Sequence, residues 1–531
     1  MPTLNWIGKE AVVNHHHQVP FRLLKDVPEL ACGDPGSGNL IVQGDNLVAL
    51  KALLPYYAGQ VKCIYIDPPY NTGNEGWIYN DNVNSPLIRD WLGKAVGKEA
   101  EDLSRHDKWL CLMYPRLALL RQFLSKDGVI FVNLDDNEAA TCRLLMEEIF
   151  GRGNFVATIA WQRRISPDAR LGLSQAHDHI LVFAKNVEHL NFNKVPVSAE
   201  QTKAFKNPDS DPRGAWVSTD FTAQGWRPNQ MYKITTPGGS IYEPATGRCW
   251  ANIESEYEKL KSENRMWFGR DGKGRPRVKT YLSESEGVSA WTWWTHSETG
   301  HNQEAKKEIN AIMGFESPFD TPKPTRLLER VLQIASNPGD LILDSFAGSG
   351  TTGHAVLNLN KADGGNRKFI LVEMETKIAR DITAERVKRV AQGYTNAKGE
   401  NVEGLGGGFR FCELGEPLFD EHGQIKTTVR FADLARHVYF TETGEPLPRE
   451  RVLKSPLIGE CRGVGIYLLF NGILGDKSAN GGNILTRSAL AQLPKFEGQK
   501  VIYCAGCLLG KDRLQAERII VRQTPYEIKV S

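Results

Sequence analysis

Two rhythms of apolar positions alternate along the first part of the chain. Val61–Ile66 is an unbroken apolar run with β-branched and aromatic members, the pattern of a strand buried on both faces. Comparable short runs lie at 128–134, 156–161 and 179–184, and again at 341–343 and 369–372. Between them the spacing turns helical: Leu47, Leu50, Leu53 and Leu54 after a strand near Asn39, then amphipathic stretches at 108–124, 139–150 and 325–335. Strand, helix, strand in this rhythm predicts an α/β, doubly wound sheet. A polar stretch after Tyr70, with Trp77, Tyr79 and Trp91, reads as an irregular loop.

The rhythm fails from about 186 to 320, where Pro, Gly, Asn and Trp are dense and no long helical period precedes Glu254. Seven of the twelve tryptophans fall here, and 261–279 carries Lys261, Arg265, Arg270, Lys273, Arg275, Arg277 and Lys279 against two acids. Arg and Lys interleaved with aromatics suit phosphate contact and stacking, and equally a solvated loop face over a tryptophan core. The sheet pattern resumes after Pro322-Lys323-Pro324. A last stretch, 413–531, reads as a small α/β unit with strands near 464–470, 500–504 and 518–529.

Composition narrows this picture only a little. A chain of 531 residues holds two or three domains. With a net charge of +2, nucleic-acid binding requires a local patch rather than overall charge. No signal peptide and no apolar run of membrane-spanning length is visible, so the expected location is the cytoplasm, with no membrane. Nine scattered cysteines fit a reducing compartment, and Cys504 and Cys507, the sole CxxC, read as core thiols. His15, His16 and His17 cannot all face one ion from regular structure, so they read as surface residues and no metal is expected.

Three junctions carry candidate chemistry. The strand Val61–Ile66 runs into Asp67-Pro68-Pro69-Tyr70, where the prolines stop both ladder pairing and helix. A carboxylate is thereby set at a strand's carboxyl end, where open α/β sheets form ligand crevices. The prolines leave nearby carbonyls without an amide donor, and Tyr70 adds an aromatic face. Together they can grip a flat group bearing an exocyclic amine, although a tight Pro-Pro turn explains the same residues. Asp344-Ser345-Phe346-Ala347-Gly348-Ser349-Gly350-Thr351-Thr352-Gly353 follows another strand and opens a helix. Its glycines allow close backbone approach to a ligand at a helix N-terminus. About 20 residues on, Glu373 ends a strand, placed for ribose hydroxyls. Gly44-Asp45-Asn46 reads as a helix cap, or as a second acid at a strand end.

FAGSGTT and DPPY together resemble the two signatures of S-adenosylmethionine-dependent DNA amino-methyltransferases. DPPY precedes FAGSGTT with a long insertion between, an order similar to the beta class. YIDPPYNTGN, GDNLVALKALLP and LDSFAGSGTTGHAV are similar to modification subunits of type III restriction-modification systems. The resemblance implies a circularly permuted Rossmann-like methyltransferase sheet with an inserted target-recognition domain and a small C-terminal α/β domain. The halves would be 1–185, with the catalytic loop Asp67, Pro68, Pro69 and Tyr70, and 321–412, with the cofactor loop. The insertion 186–320 would read DNA, through Arg265, Arg270, Lys273, Arg275 and Arg277, and 413–531 would contact DNA, a dimer mate or a partner. S-adenosylmethionine would lie against Asp344, Phe346, Ala347, Gly348, Ser349, Gly350, Thr351 and Thr352. Glu373 would take its ribose, Asp45 would lie near its adenine, and Asn46, Asp67, Lys323 and Pro324 would border it. The implied reaction is N6 methylation of a flipped adenine in double-stranded DNA by a homodimer, with a separate restriction subunit in some systems. Cytosine N4, RNA or protein are the alternative acceptors.

Overall fold

Ten strands form one sheet: β1 (Arg22–Asp26), β2 (Leu40–Gln43), β3 (Val61–Ile66), β4 (Leu124–Leu134), β5 (Phe155–Gln162), β6 (His177–Ala184), β7 (Trp293–Trp294), β8 (Leu341–Asp344), β9 (Lys368–Glu373) and β10 (Arg410–Pro417). Their order is β1-β10-β2-β9-β8-β3-β4-β6-β5-β7. The computed structural model describes residues 4–72, 93–94, 96, 104–168, 172–197, 202–314, 319–396, 398–447, 453–475, 482–525 and 527–528. Trp77, Tyr79 and Trp91 lie outside them.

The six strands from β10 to β4 run parallel. Every residue of β3 is buried, as its unbroken apolar run requires of a strand covered on both faces. The sheet turns antiparallel at its margins. β6 is antiparallel to both β4 and β5, and β1 is antiparallel to β10. The amino end of β6 therefore lies at the same sheet edge as the carboxyl ends of β3 and β4, with Leu134 opposite His179.

Helices α1 (Asn46–Tyr57), α2 (Arg105–Phe123), α3 (Ala139–Phe150), α4 (Thr325–Ala335), α5 (Thr351–Asp363), α6 (Glu385–Gln392) and α7 (Phe431–Thr443) accompany the sheet. Asp45 caps α1 by accepting from the Val48 amide at 3.1 Å. Ser104 and Asp107 form a reciprocal capping box at the start of α2. Leu50, Leu117, Ile130, Leu343 and Val372 belong to one continuous apolar core.

The chain divides into two compact units, residues 1–192 with 291–531, and residues 193–290. The second is narrower than the span 186–320: β7 pairs with Ala160 and Trp161 of the main sheet. The boundary expected at 412/413 falls inside β10, which is hydrogen-bonded to β2 and β1. Beyond it, β11 (Leu457–Cys461), β12 (Val464–Leu468), β13 (Gln499–Cys504) and β14 (Ile519–Gln523) form a four-stranded sheet. Leu434, Val438, Ile458 and Val501 join the same core as the main sheet, so the tail does not stand apart.

Residues 193–290 hold a three-stranded antiparallel sheet of Met266–Trp267, Arg277–Tyr281 and Trp216–Asp220, and a helix, Glu254–Ser262. Phe221, Ile234, Trp250, Tyr257, Met266 and Phe268 make their own core. Among the described residues no helix is long and apolar enough to cross a membrane. His16 corrects the reading of 15–17 as a surface run. It is 8% exposed, and burial pushes its imidazole down to about 4.

Candidate active site

Asp67 follows β3 directly and is 9% exposed. Its Oδ1 accepts from Tyr70 Oη at 3.1 Å and from Asn133 Nδ2 at 3.2 Å, and its Oδ2 from the Lys323 ammonium at 2.5 Å. Tyr70 Oη also lies 2.9 Å from Asp178 Oδ2. One hydroxyl has one proton and cannot donate to both acids. Burial raises the Asp178 carboxyl above its ordinary range, against the pull of Arg163, whose Nη1 is 2.8 Å from Asp178 Oδ1. Asn133 Nδ2 donates to the same hydroxyl, so tyrosine, asparagine and the two acids form one buried network.

The two prolines do end the strand, but the Pro69 carbonyl is not left without a donor. Trp109 Nε1 of α2 donates to it at 2.7 Å. Asn71 takes a φ of 58°, and its Nδ2 donates to the Arg105 carbonyl at 3.1 Å and to the fully buried Glu138. Asn and Asp tolerate this left-handed region better than other L residues.

β8 is the neighbour of β3, so the 344–350 loop leaves the sheet beside Asp67. Gly348 and Gly350 take φ values of 49° and 76°, and a Cβ at Gly350 would come within 3.1 Å of the Thr383 carbonyl. A narrow crevice is lined by Asp67, Lys323, Asp344, Phe346 to Ser349, Thr351 and Thr352. Gly350 and Pro324 adjoin lining residues in the chain without lining it themselves, and Pro324 is the N-cap of α4. Burial pushes the Asp344 carboxyl up to about 7, although Thr352 Oγ1 and the Phe346 amide donate to it at 2.5 and 3.0 Å. Acids together with an ammonium suit a ligand that carries both a cationic group and a carboxylate.

Two residues expected at the cofactor, Glu373 and Asn46, brace this loop, while a third, Asp45, reaches it only through Arg116, which donates to Asn46. Glu373 accepts from the Gly348 amide through Oε2 and from the Glu375 amide through Oε1, each at 2.9 Å. Asp45 pairs with Arg116 at 2.9 Å, and Asn46 Nδ2 donates to the Ser345 carbonyl at 3.1 Å. Buried Arg386 of α6 donates to Ser349 Oγ at 3.1 Å and Thr351 Oγ1 at 2.8 Å.

A second space, about 350 Å³, opens on the other side of Asp67 and Lys323. Pro68, Tyr70, Arg163 and Asp178 also line it. Its volume is within the range of small-molecule sites. Asn133, Arg163, Asp178, Trp109, Arg116 and Arg386 are the residues that sequence reading missed. The antiparallel course of β6 was the signal for Asp178, since it returns that residue to the edge where Asp67 emerges. Asp136, His177 and His179 also group near this space, with donor atoms within 4.8 Å of one another. His179 Nε2 is hydrogen-bonded to Asp136 Oδ1 at 2.7 Å, which accounts for their proximity without a metal ion.

In the 193–290 unit, Arg270, Lys273, Arg275 and Arg277 are exposed. Arg265 is committed to Glu284, with hydrogen bonds of 2.8 and 2.6 Å. Lys279 is buried against Asp209 and Asp211, so the basic run is only partly a charged surface.

The profile of the DNA methylase family matches residues 61–385. Over 385 residues the chain is 39% identical to the type III restriction-modification enzyme StyLTI Mod subunit of Salmonella typhimurium, a match covering 67% of this chain and 57% of that one. The chain thus spans little more than half of that relative's length. Over 338 residues it is 44% identical to the DNA adenine methyltransferase YhdJ of Escherichia coli K12, covering 64% of this chain and 79% of that one. Among solved structures, PvuII DNA methyltransferase (cytosine-N4-specific) superposes with a TM-score of 0.35 at 13% identity, over 66% of this chain and 86% of that one.

Proposed function

Because the chain belongs to the DNA methylase family, we propose that it is a site-specific DNA methyltransferase that moves a methyl group from S-adenosylmethionine to N6 of an adenine swung out of duplex DNA. One observation carries this reading. Asp67 and Lys323 border both the narrow crevice of the glycine loop and the 350 Å³ space beside Tyr70, so two ligands can meet at one carboxylate.

Extruding a base costs a few kcal/mol, which interactions in the pocket offset. Bound in the crevice, the cofactor supplies a methyl group on a cationic sulfur. Asp67 would place negative charge beside that cationic group, Asp344 would line the crevice with it, and Phe346 to Ser349 would hold the amino-acid end. Tyr70 lies along the flipped base. Asp67 and the Pro68 carbonyl accept from the amine, which turns the nitrogen lone pair toward the methyl. Transfer would join the methyl carbon to the amine nitrogen as its bond to sulfur broke, and the amine would then give up one proton to Asp67 or to water. Asp67 stabilises the charge growing on the nitrogen, and fixed acceptors of this kind supply much of the acceleration in such sites. No covalent enzyme intermediate is required, so no cysteine takes part.

Adenine is favoured over cytosine by the carboxylate that opens the loop, the stronger acceptor for an amine turning cationic. The relative named a DNA adenine methyltransferase supports the same choice. Digesting methylated DNA to nucleosides and weighing them tests it: N6-methyl-2′-deoxyadenosine is expected, and methyl on deoxycytidine overturns the assignment. We assign target reading to the insertion, with 193–290 as its compact part, and the methyltransferase core to 1–185 and 321–412. The likeness to a subunit of a restriction-modification enzyme supports a chain that works with a separate restriction subunit, and we propose that it does so as a homodimer. The purified chain should then leave DNA uncut.

A further inference from the structure

The ion pair between Lys323 and Asp67 conflicts with the chemistry just derived, because it fills the place the target amine needs. Asp67 Oδ1 is already taken by Tyr70 and Asn133. Oδ2 holds the Lys323 ammonium at 2.5 Å, with side-chain exposures of 9% and 12%. The same ammonium lies 5.0 Å from the centre of the Tyr70 ring. An amine that is gaining positive charge cannot settle beside a fixed ammonium in so poorly hydrated a place.

The backbone at Lys323 is pinned. Thr351 Oγ1 donates to its carbonyl at 3.1 Å, and Arg386 in turn holds Thr351 at 2.8 Å. The flexible four-carbon side chain can still turn. It borders both spaces, so it can leave Asp67 for the crevice without crossing the protein. A buried ammonium moves only to another anion, since an unpaired buried charge is strongly disfavoured. The amino-acid end of S-adenosylmethionine carries such an anion.

We propose that Lys323 couples the two substrates: it pairs with Asp67 until the cofactor's carboxylate takes it over, and this transfer frees Asp67 Oδ2 for the target amine. The ammonium is neutralised in both positions, so the exchange leaves no charge stranded. It also makes the cofactor strengthen capture of the flipped base, and by reciprocity the base strengthens retention of the cofactor. Lys323 is thus a positioning residue acting through Asp67. The inference rests on the methyl-transfer reading.

Two measurements test it, neither relying on turnover. Calorimetry compares S-adenosylhomocysteine with methylthioadenosine, which lacks the amino-acid end. Lys323→Met should cut the preference for S-adenosylhomocysteine about tenfold or more, as loss of a charge-assisted hydrogen bond does, while binding methylthioadenosine as the wild type does. That retained affinity also shows the variant folded, and Lys323→Arg, which keeps a cation, should keep the preference. The second measurement places 2-aminopurine at the target position of the recognised duplex. Sinefungin should raise its fluorescence with the wild type, whereas Lys323→Met should give the raised signal with or without sinefungin. An unchanged ligand preference, or an unchanged dependence on sinefungin in the variant, overturns the proposal. A wild type that neither binds S-adenosylhomocysteine nor methylates DNA overturns the underlying reading instead.

Discussion

Trp109 donates from Nε1 to the Pro69 carbonyl across 2.7 Å, so a buried helix holds the peptide on which Tyr70 is carried. Trp109→Phe keeps an aromatic ring but removes that donor. Leaving the buried carbonyl unpaired should cost about 1–3 kcal/mol. Thermal unfolding is expected to show the loss, and turnover to fall while S-adenosylhomocysteine affinity holds, because the cofactor loop is braced from elsewhere.

Asp67→Ala should lower turnover about a hundredfold or more, the scale of losing one preorganised partner of a growing charge. Cofactor affinity, read by calorimetry, should stay largely intact, since the variant also releases Lys323 toward the crevice. Substantial residual turnover would refute the role given to this carboxylate.

The exposed cations of the 193–290 unit give a salt-dependent signature. Neutralising Arg270, Lys273, Arg275 and Arg277 to Gln should weaken duplex binding and flatten its slope against salt by about 0.9 for each phosphate no longer neutralised. Arg265→Gln should change that slope little and unfold the unit more easily, because Arg265 is engaged with Glu284. An unaltered slope in the fourfold variant would make the basic run a solvated loop.

Asp344 gives stability a pH dependence. Its carboxyl rises from an ordinary 3.8 to about 7 in the fold, chiefly through burial. Between those values the folded protein retains a proton that the unfolded chain has released. The fold is therefore favoured at low pH, and that contribution fades as pH climbs toward about 7. Asp344→Asn cannot ionise and lets the Thr352 hydroxyl turn round to accept. Its melting temperature should gain on the wild type as pH rises from about 5 to about 8. A gain independent of pH would rule this account out.

Much of the sheet was legible in local pattern. The bounds of β3 and α4 are those the apolar runs predict, because an unbroken buried run or a helical stripe needs no distant partner to be read. The glycine loop and the Asp67 turn were legible for the same reason. Their meeting was not: Lys323 and Asp67 are 256 residues apart in the chain. Asn133 and Asp178 were hidden differently, as polar residues inside or just before apolar strands, where periodicity alone treats them as interruptions. Charge counting overstated Arg265 and Lys279, since a cation's partners appear only when strands are paired.

The strand order also bears on how the protein is made. β2 needs β9 and β10 as neighbours, and β3 needs β8, yet these partners are synthesised some three hundred residues later. While a ribosome works through the intervening sequence, the first apolar strands must wait with unpaired edges, the state in which long chains stick to one another. Slow synthesis or warm growth should therefore harm the nascent chain more than the finished one, and soluble yield should depend on chaperones that cover those edges.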